Sequence, residues 1–224
     1  MTRFPPRFPR ASTLVLLAGV VSLLGVHPAA AQDPDPLSQL GATNKFTVEL
    51  LIDSAEAAGL PSRCLRSKAL EGIAKKADAK LVVAVVHKEL TSLRTAKSAL
   101  GGGSTPEEIC AAAAVLDAGG KPGHLNPFRI RQPGRNDLEA FTVWVDLMTR
   151  GVPSDDASSA IVTLWRDGAD DATFHSLWKN VQSDILQGLN PGTALQNRIR
   201  EAPGRASPST VKPPEGPQEN QSSR

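Results

Sequence analysis

Between Asp137 and Gly188 three amphipathic stretches follow one another with only short turns between them, and no other property of the chain restricts its fold as strongly. Leu138, Phe141, Trp144, Val145 and Met148 mark the first, Ala157, Ala160, Ile161, Leu164 and Trp165 the second, and Phe174, Leu177, Trp178, Val181 and Ile185 the third. Each set recurs at or near i, i+3, i+4, i+7, so each segment predicts a helix whose apolar stripe leaves water only by meeting another stripe. All three tryptophans fall here, which places the core. Aromatic residues make up 4% of the chain and alanine is plentiful, so the helices are expected to approach closely rather than to pack on large rings.

The N-terminus carries Arg3, Arg7 and Arg10 without an acid, then the apolar run Leu14 to Val26, then Pro28 and Ala29, Ala30 and Ala31. That is the order of a secretory signal peptide, with cleavage expected after Ala31, and the alternative is an uncleaved anchor. The run of about 13 residues is shorter than the roughly 20 that a bilayer-spanning helix needs. The predicted organisation is a signal peptide at 1–31, a flexible lead-in at 32–43, a helical domain at 44–202 and a disordered, Pro- and Ser-rich tail at 203–224. Removing the leader's arginines leaves 22 of the 25 Lys+Arg against 23 Asp+Glu. A nearly neutral chain without a basic run has no electrostatic case for nucleic acid or an anionic membrane surface. The expected address is the periplasm or the medium, with no stable membrane insertion after cleavage.

Along the helical domain, Asn44 is expected to cap a helix with Phe46, Leu50, Leu51 and Ala55 inward, ended by Gly59. Ser62 would cap the next, with Leu65, Ala69, Leu70 and Ile73 inward. Asp78 would cap a third lined by Val82, Val85, Val86, Leu90 and Leu93 and stopped by Gly101-Gly102-Gly103. Thr105-Pro106-Glu107-Glu108 is a capping box with proline at the first helical position. Gly119 to Arg135, rich in glycine and proline, reads as an ordered loop or extended connector. Asn136 and Glu139 read as a second capping box, and Ser154, Asp170 and Asn190 as further helix starts. The fold class is therefore all-α: an irregular helical bundle or short helical-repeat array of about eight helices.

Gly59-Leu60-Pro61-Ser62 recurs as Gly151-Val152-Pro153-Ser154, 92 positions later. The same offset pairs Leu65 with Ala157, Ala69 with Ile161, Val82 with Phe174 and Val85 with Leu177, but sets Glu89 against Val181. This points to an internal duplication of 46–100 as 137–188, a helical unit used twice, unless Gly-x-Pro-Ser is simply a good turn wherever it occurs. Cys64 and Cys110 are expected either to bridge or to lie buried separately. A bridge would stabilise by at most ~4 kcal/mol. With its leader, its Gly-Leu-Pro-Ser and Gly-Val-Pro-Ser turns, its Leu70-Glu71-Gly72 segment and its Ala-rich helices, the chain resembles a group of exported helical proteins of bacteria with GC-rich genomes. The resemblance implies export and an all-helical fold, and carries over no activity.

Candidate chemistry is sparse. His87, His124 and His175 lack a second His or Cys at metal-ligand spacing, so neither metal nor cofactor is expected. Asp171, His175 and Lys179 share a helix face, which a solvated surface explains. No Gly-x-Ser-x-Gly turn or phosphate loop is present. The remaining candidate is the connector, where Lys121, His124, Arg129, Arg131 and Arg135 surround Phe128 and Ile130 without an acid. They would clamp a carboxylate or phosphate, or else Phe128 and Ile130 pin the connector to the core while the cations face water. The expected function is a non-enzymatic interaction protein of the cell envelope that binds a protein or peptide on a helical surface. A small-anion binder at the connector is the alternative, and an unrecognised hydrolase or lyase the third.

Overall fold

The structure, a computed structural model, describes residues 35–130 and 136–201; the leader 1–31 and the tail 203–224 lie outside the described residues. Among the described residues there is no strand, and the order is α1 (Ala42–Ala57), α2 (Ser62–Ala74), α3 (Ala79–Leu100), α4 (Pro106–Asp117), the single turn α5 (Pro122–Leu125), α6 (Leu138–Thr149), α7 (Ser154–Arg166), α8 (Asp171–Leu186) and α9 (Pro191–Glu201). Short 3-10 turns occupy Pro36–Leu40 and Asn126–Arg129. The protein is an all-α bundle.

The helices group as two sets of four. In the first, α3 packs on α1, α2 and α4; in the second, α6 packs on α7 and α8, and α9 on both α7 and α8. Contact between α4 and α6 joins the sets. Their boundaries repeat at the 92-residue offset: α1 and α6 end at 57 and 149, α2 and α7 span 62–74 and 154–166, and α3 and α8 begin at 79 and 171. The helix ends match bond for bond. Leu60 N donates to Ala55 O as Val152 N donates to Leu147 O, and Ala77 N to Gly72 O as Ala169 N to Leu164 O. These are Schellman closures, with the apolar residue after the glycine, Leu60 or Val152, buried. Asp78 and Asp170 cap α3 and α8 through backbone N–H groups. Buried positions coincide at Val48 and Ala140, Ile52 and Trp144, Ala55 and Leu147, and even at Glu89 and Val181.

Several local expectations change. Phe46 and Leu50 are 66% and 57% exposed, while α1 buries Val48, Ile52 and Ala55. Apolar residues make up half of that helix and are spread around it, so periodicity alone does not select its inner face; the positions of α2, α3 and the 3-10 turn do. Leu70 and Val85 are also exposed. The lead-in is ordered from Asp35 onward, with Leu37 and Leu40 buried, and α1 starts at Ala42 rather than after Asn44. Pro61 and Pro153 hold the N-cap positions expected for Ser62 and Ser154. The serine hydroxyls instead donate to Glu56 Oε1 (2.8 Å) and Gly119 O (3.0 Å). The Asn136–Glu139 box does not form, because α6 begins at Leu138 and Asn136 Oδ1 accepts from Leu138 N (2.9 Å). The Thr105–Glu108 box does. Cys64 and Cys110 are bridged, their Cα atoms 6.3 Å apart, which ties α4 to α2.

The two sets differ in the spacing of their second and third helices. A Cβ on Gly72 would lie 2.7 Å from Val82 Cγ2, so α2 and α3 meet almost backbone to side chain. Their counterparts at the same offset are Leu164 and Phe174, whose bulk holds α7 and α8 apart; α9 packs against both. Replacing Gly72 with Ala is expected to cost ~1–3 kcal/mol by overpacking, despite a helix-propensity gain of up to ~1 kcal/mol. Val82→Ala in the same chain should recover most of the loss, which a double-mutant cycle in urea would measure. Lys76, at φ 54, is the non-glycine residue with positive φ among the described residues, and Gly168 stands at its offset with φ 83. Lys76→Gly is expected to raise the unfolding free energy by about 0.5–1 kcal/mol, since the left-handed conformation strains a residue with a Cβ. The urea midpoint is the readout.

Candidate functional site

The connector that carries the basic residues begins where α4 can no longer continue. A Cβ on Gly120 would lie 2.8 Å from Val115 O, so only glycine makes that turn. Pro122 opens α5 and Pro127 sits in the following 3-10 turn, positions where a missing N–H costs nothing. Far from being extended, the segment is wound helically as far as Arg129. Leu125 and Phe128 are buried, and the Phe128 ring lies 4.7 Å from Phe141, 4.8 Å from Trp165 and 6.3 Å from Trp144. Phe128 and Leu125 thus pin the connector, while Ile130, expected to share that role, is 74% exposed.

Around this aromatic plug runs a buried polar chain. Trp165 Nε1 donates to Asp137 Oδ1 (2.6 Å), Asp137 N donates to Glu108 Oε1 (3.2 Å), and Thr105 N donates to Glu108 Oε2 (2.8 Å). The starts of α4 and α6 and the end of α7 are thereby locked together. Sequence reading assigned Glu108 to the cap of α4, which is right, but nothing in the spacing reveals that its second oxygen crosses to Asp137.

The described basic groups of the connector, Lys121, His124 and Arg129, meet partners within the chain itself. Lys121 Nζ lies 2.7 and 2.8 Å from the two oxygens of Asp155, in the first turn of α7. His124 Nε2 lies 3.8 Å from Asp155 Oδ1, and its ring stacks on Trp144. The hydrogen bond and charge of Lys121, with a smaller contribution from His124, hold the Asp155 carboxyl below its usual range. Arg129 donates to Ser98 O, at the negative end of α3. Lys121 and His124 thus converge on one acid while Arg129 serves another helix. Arg131 and Arg135 lie outside the described residues. On α8, His175 Nδ1 is 3.9 Å from Glu139 Oε1 and its ring lies beside Trp178.

Sequence reading did not anticipate the two grooves that flank α9. One, of about 410 Å³, is lined by Leu164, Leu177 and Ile199 with Thr173, Ser176 and Asn180 at its side. The other, of about 440 Å³, runs between α7 and α9 past Ser159, Thr163, Gln196 and Arg200, and Ile199 lines both. The helix between them is held by buried Ala194 and Leu195 and by Arg198, which donates to both oxygens of Asp184 (2.7 and 2.6 Å). That pairing lowers the Asp184 pKa and raises that of Arg198. The signal in the sequence was the change from Gly72 and Val82 to Leu164 and Phe174, legible only once the repeat is taken as structure. Each groove sets apolar side chains beside polar and charged ones, with Asp170, Arg198 and Glu201 also lining the first and Asp156 the second. Among the described residues no three His, Cys, Asp or Glu side chains group closely enough to hold a metal, and no helix is long and apolar enough to cross a membrane.

Comparison with known protein families, curated proteins and solved structures finds no match to this chain. Phe128→Ala is expected to lower the unfolding free energy by ~3–5 kcal/mol through loss of a fully buried ring. Urea unfolding followed by tryptophan fluorescence checks it, since Trp144 and Trp165 both border Phe128.

Proposed function

We infer that the chain is an exported, non-enzymatic interaction protein of the cell envelope, which takes up a short peptide segment of a partner protein in the groove between α8 and α9. The observation that carries this reading is the groove's lining: Leu164, Leu177 and Ile199 as an apolar floor, with Ser176 and Asn180 as hydrogen-bonding groups beside it and Thr173, whose hydroxyl donates to Asp170, at the start of α8. Such a surface supplies apolar burial for alternate side chains and polar contacts for the main chain. Asp170, the cap that opens α8, also lines the groove and adds negative charge at that end. The favoured segment therefore carries aliphatic side chains and a lysine or arginine toward that end. Export rests on the arginines, apolar run and small residues of the N-terminus and on the resemblance to exported Ala-rich helical proteins.

Selection of a displayed peptide library on the protein lacking its leader should enrich aliphatic sequences with a flanking cation. Ser176, exposed on α8, offers a way to fill the groove without disturbing the core. Ser176→Trp is expected to weaken the selected peptides at least ~10-fold, about 1.4 kcal/mol, while Lys121→Ala leaves their affinity unchanged. Peptides indifferent to Ser176→Trp, or no enrichment, would count against this site.

A further inference from the structure

Glu89 is buried in the middle of α3, and the residue at its offset in the second set of helices is Val181, also buried. The architecture thus accepts an apolar residue at this position, so packing alone does not call for an acid. Ser92, one turn further along the same helix, holds the carboxyl of Asp117, the last residue of α4, which sets that acid beside Glu89 as the neighbouring group that acts on it most strongly. Ser92 Oγ donates to Asp117 Oδ1 (2.8 Å) and Lys88 Nζ lies 3.2 Å from the same oxygen. The other charged groups acting on Glu89 are Lys68 from α2 and Lys88 from its own helix, both weaker than Asp117.

Two carboxyl groups in contact cannot both ionise cheaply, so they retain one proton between them. Ser92 and Lys88 keep the charge on Asp117, which leaves the proton on the more deeply buried Glu89. We propose that the Glu89–Asp117 pair is a proton-held clasp, which fastens the end of α4 to α3 while the proton is shared and releases it, with the start of the connector, when alkaline conditions remove that proton. The step is a single deprotonation: the Glu89 O–H bond breaks, the proton passes to hydroxide or buffer base, and a carboxylate is left facing Asp117. Next along the chain are Gly119 and Gly120, the break that leads to Lys121, His124 and Phe128. Opening the clasp therefore loosens the segment that carries the aromatic plug.

Burial first, and then the hydrogen bond and charge of Asp117, push the Glu89 carboxyl up to about 8. For Asp117 burial raises the pKa, but hydrogen bonds with Glu89, Ser92 and Lys88 outweigh it and leave the acid below its ordinary value. Between the usual glutamate range and about 8 the folded chain holds a proton that the unfolded chain has lost. Stability therefore falls as pH rises through that window and levels off above it, by up to about tenfold in the unfolding constant per pH unit.

The test compares denaturant unfolding at pH 6, 7, 8 and 9 for the wild type and Glu89→Gln, with amide hydrogen exchange followed across 112–120. Glutamine keeps a donor for Asp117 but carries no titrating proton, so its stability is expected to be flat where the wild type declines. Exchange at the end of α4 should accelerate with pH, beyond the intrinsic rate, in the wild type only. Asp117→Asn removes the facing charge and should move the decline to lower pH. A wild-type curve without a decline between pH 6 and 8, or one that Glu89→Gln reproduces, overturns the proposal. Loss of stability without faster exchange at 112–120 overturns the clasp as the moving part.

Discussion

The distance between the second and third helices of each set decides what else that set can hold. In the first set Gly72 offers no side chain to Val82, and α2 and α3 close on each other. The fourth helix, α4, then packs on α3 and is fastened to α2 through the Cys64–Cys110 bridge. In the second set Leu164 and Phe174 stand at the same places, and α9 packs on both α7 and α8. Grooves remain on both of its sides because one narrow helix, its buried face made of Gly192, Ala194 and Leu195, does not fill the space that two large side chains open. Packing density in proteins leaves little freedom otherwise: a helix pair either closes or admits a third element.

The two sets meet where the connector passes between them. Phe128 enters a cluster of Phe141, Trp144 and Trp165, and the polar chain from Glu108 through Asp137 satisfies the Trp165 indole N–H that the cluster would otherwise strand. The cations of the connector follow from this placement. With the segment wound tightly against α3 and α7, Lys121 falls beside Asp155 and Arg129 beside the last carbonyls of α3. Five basic or titratable side chains within one acid-free segment look like a clamp in one dimension. In three dimensions acids and helix ends from distant parts of the chain come to those that are described.

Much of the local structure was legible because it is local. The capping box at Thr105 and the caps at Asp78, Asp170 and Asn190 depend on residues within a turn of one another, and each forms. Serine after Gly-x-Pro was misread because the proline already occupies the capping position, which frees the hydroxyl for Glu56 or for Gly119. The inner face of α1 was misread because Phe46, Val48, Leu50, Leu51 and Ile52 cover too broad an arc for periodicity to choose among them. Glu89 looked like a failure of the repeat, yet its position is as buried as that of Val181. Side-chain chemistry and burial part company there because Asp117, from another helix, satisfies the acid.

By itself, then, the chain's pattern of apolar spacing, glycines and caps determined the fold class, the helix starts that rest on nearby residues, and the offset at which the helical unit recurs. Those properties are written within a few residues of each position, where 3.6-residue periodicity and backbone hydrogen bonding operate. Only the tertiary structure decided which face of α1 is buried, that Cys64 meets Cys110, that Lys121 is spent on Asp155, and that grooves open beside α9. Each of these depends on the distance between elements far apart in sequence, and that distance is set by the volumes of the side chains that meet between them.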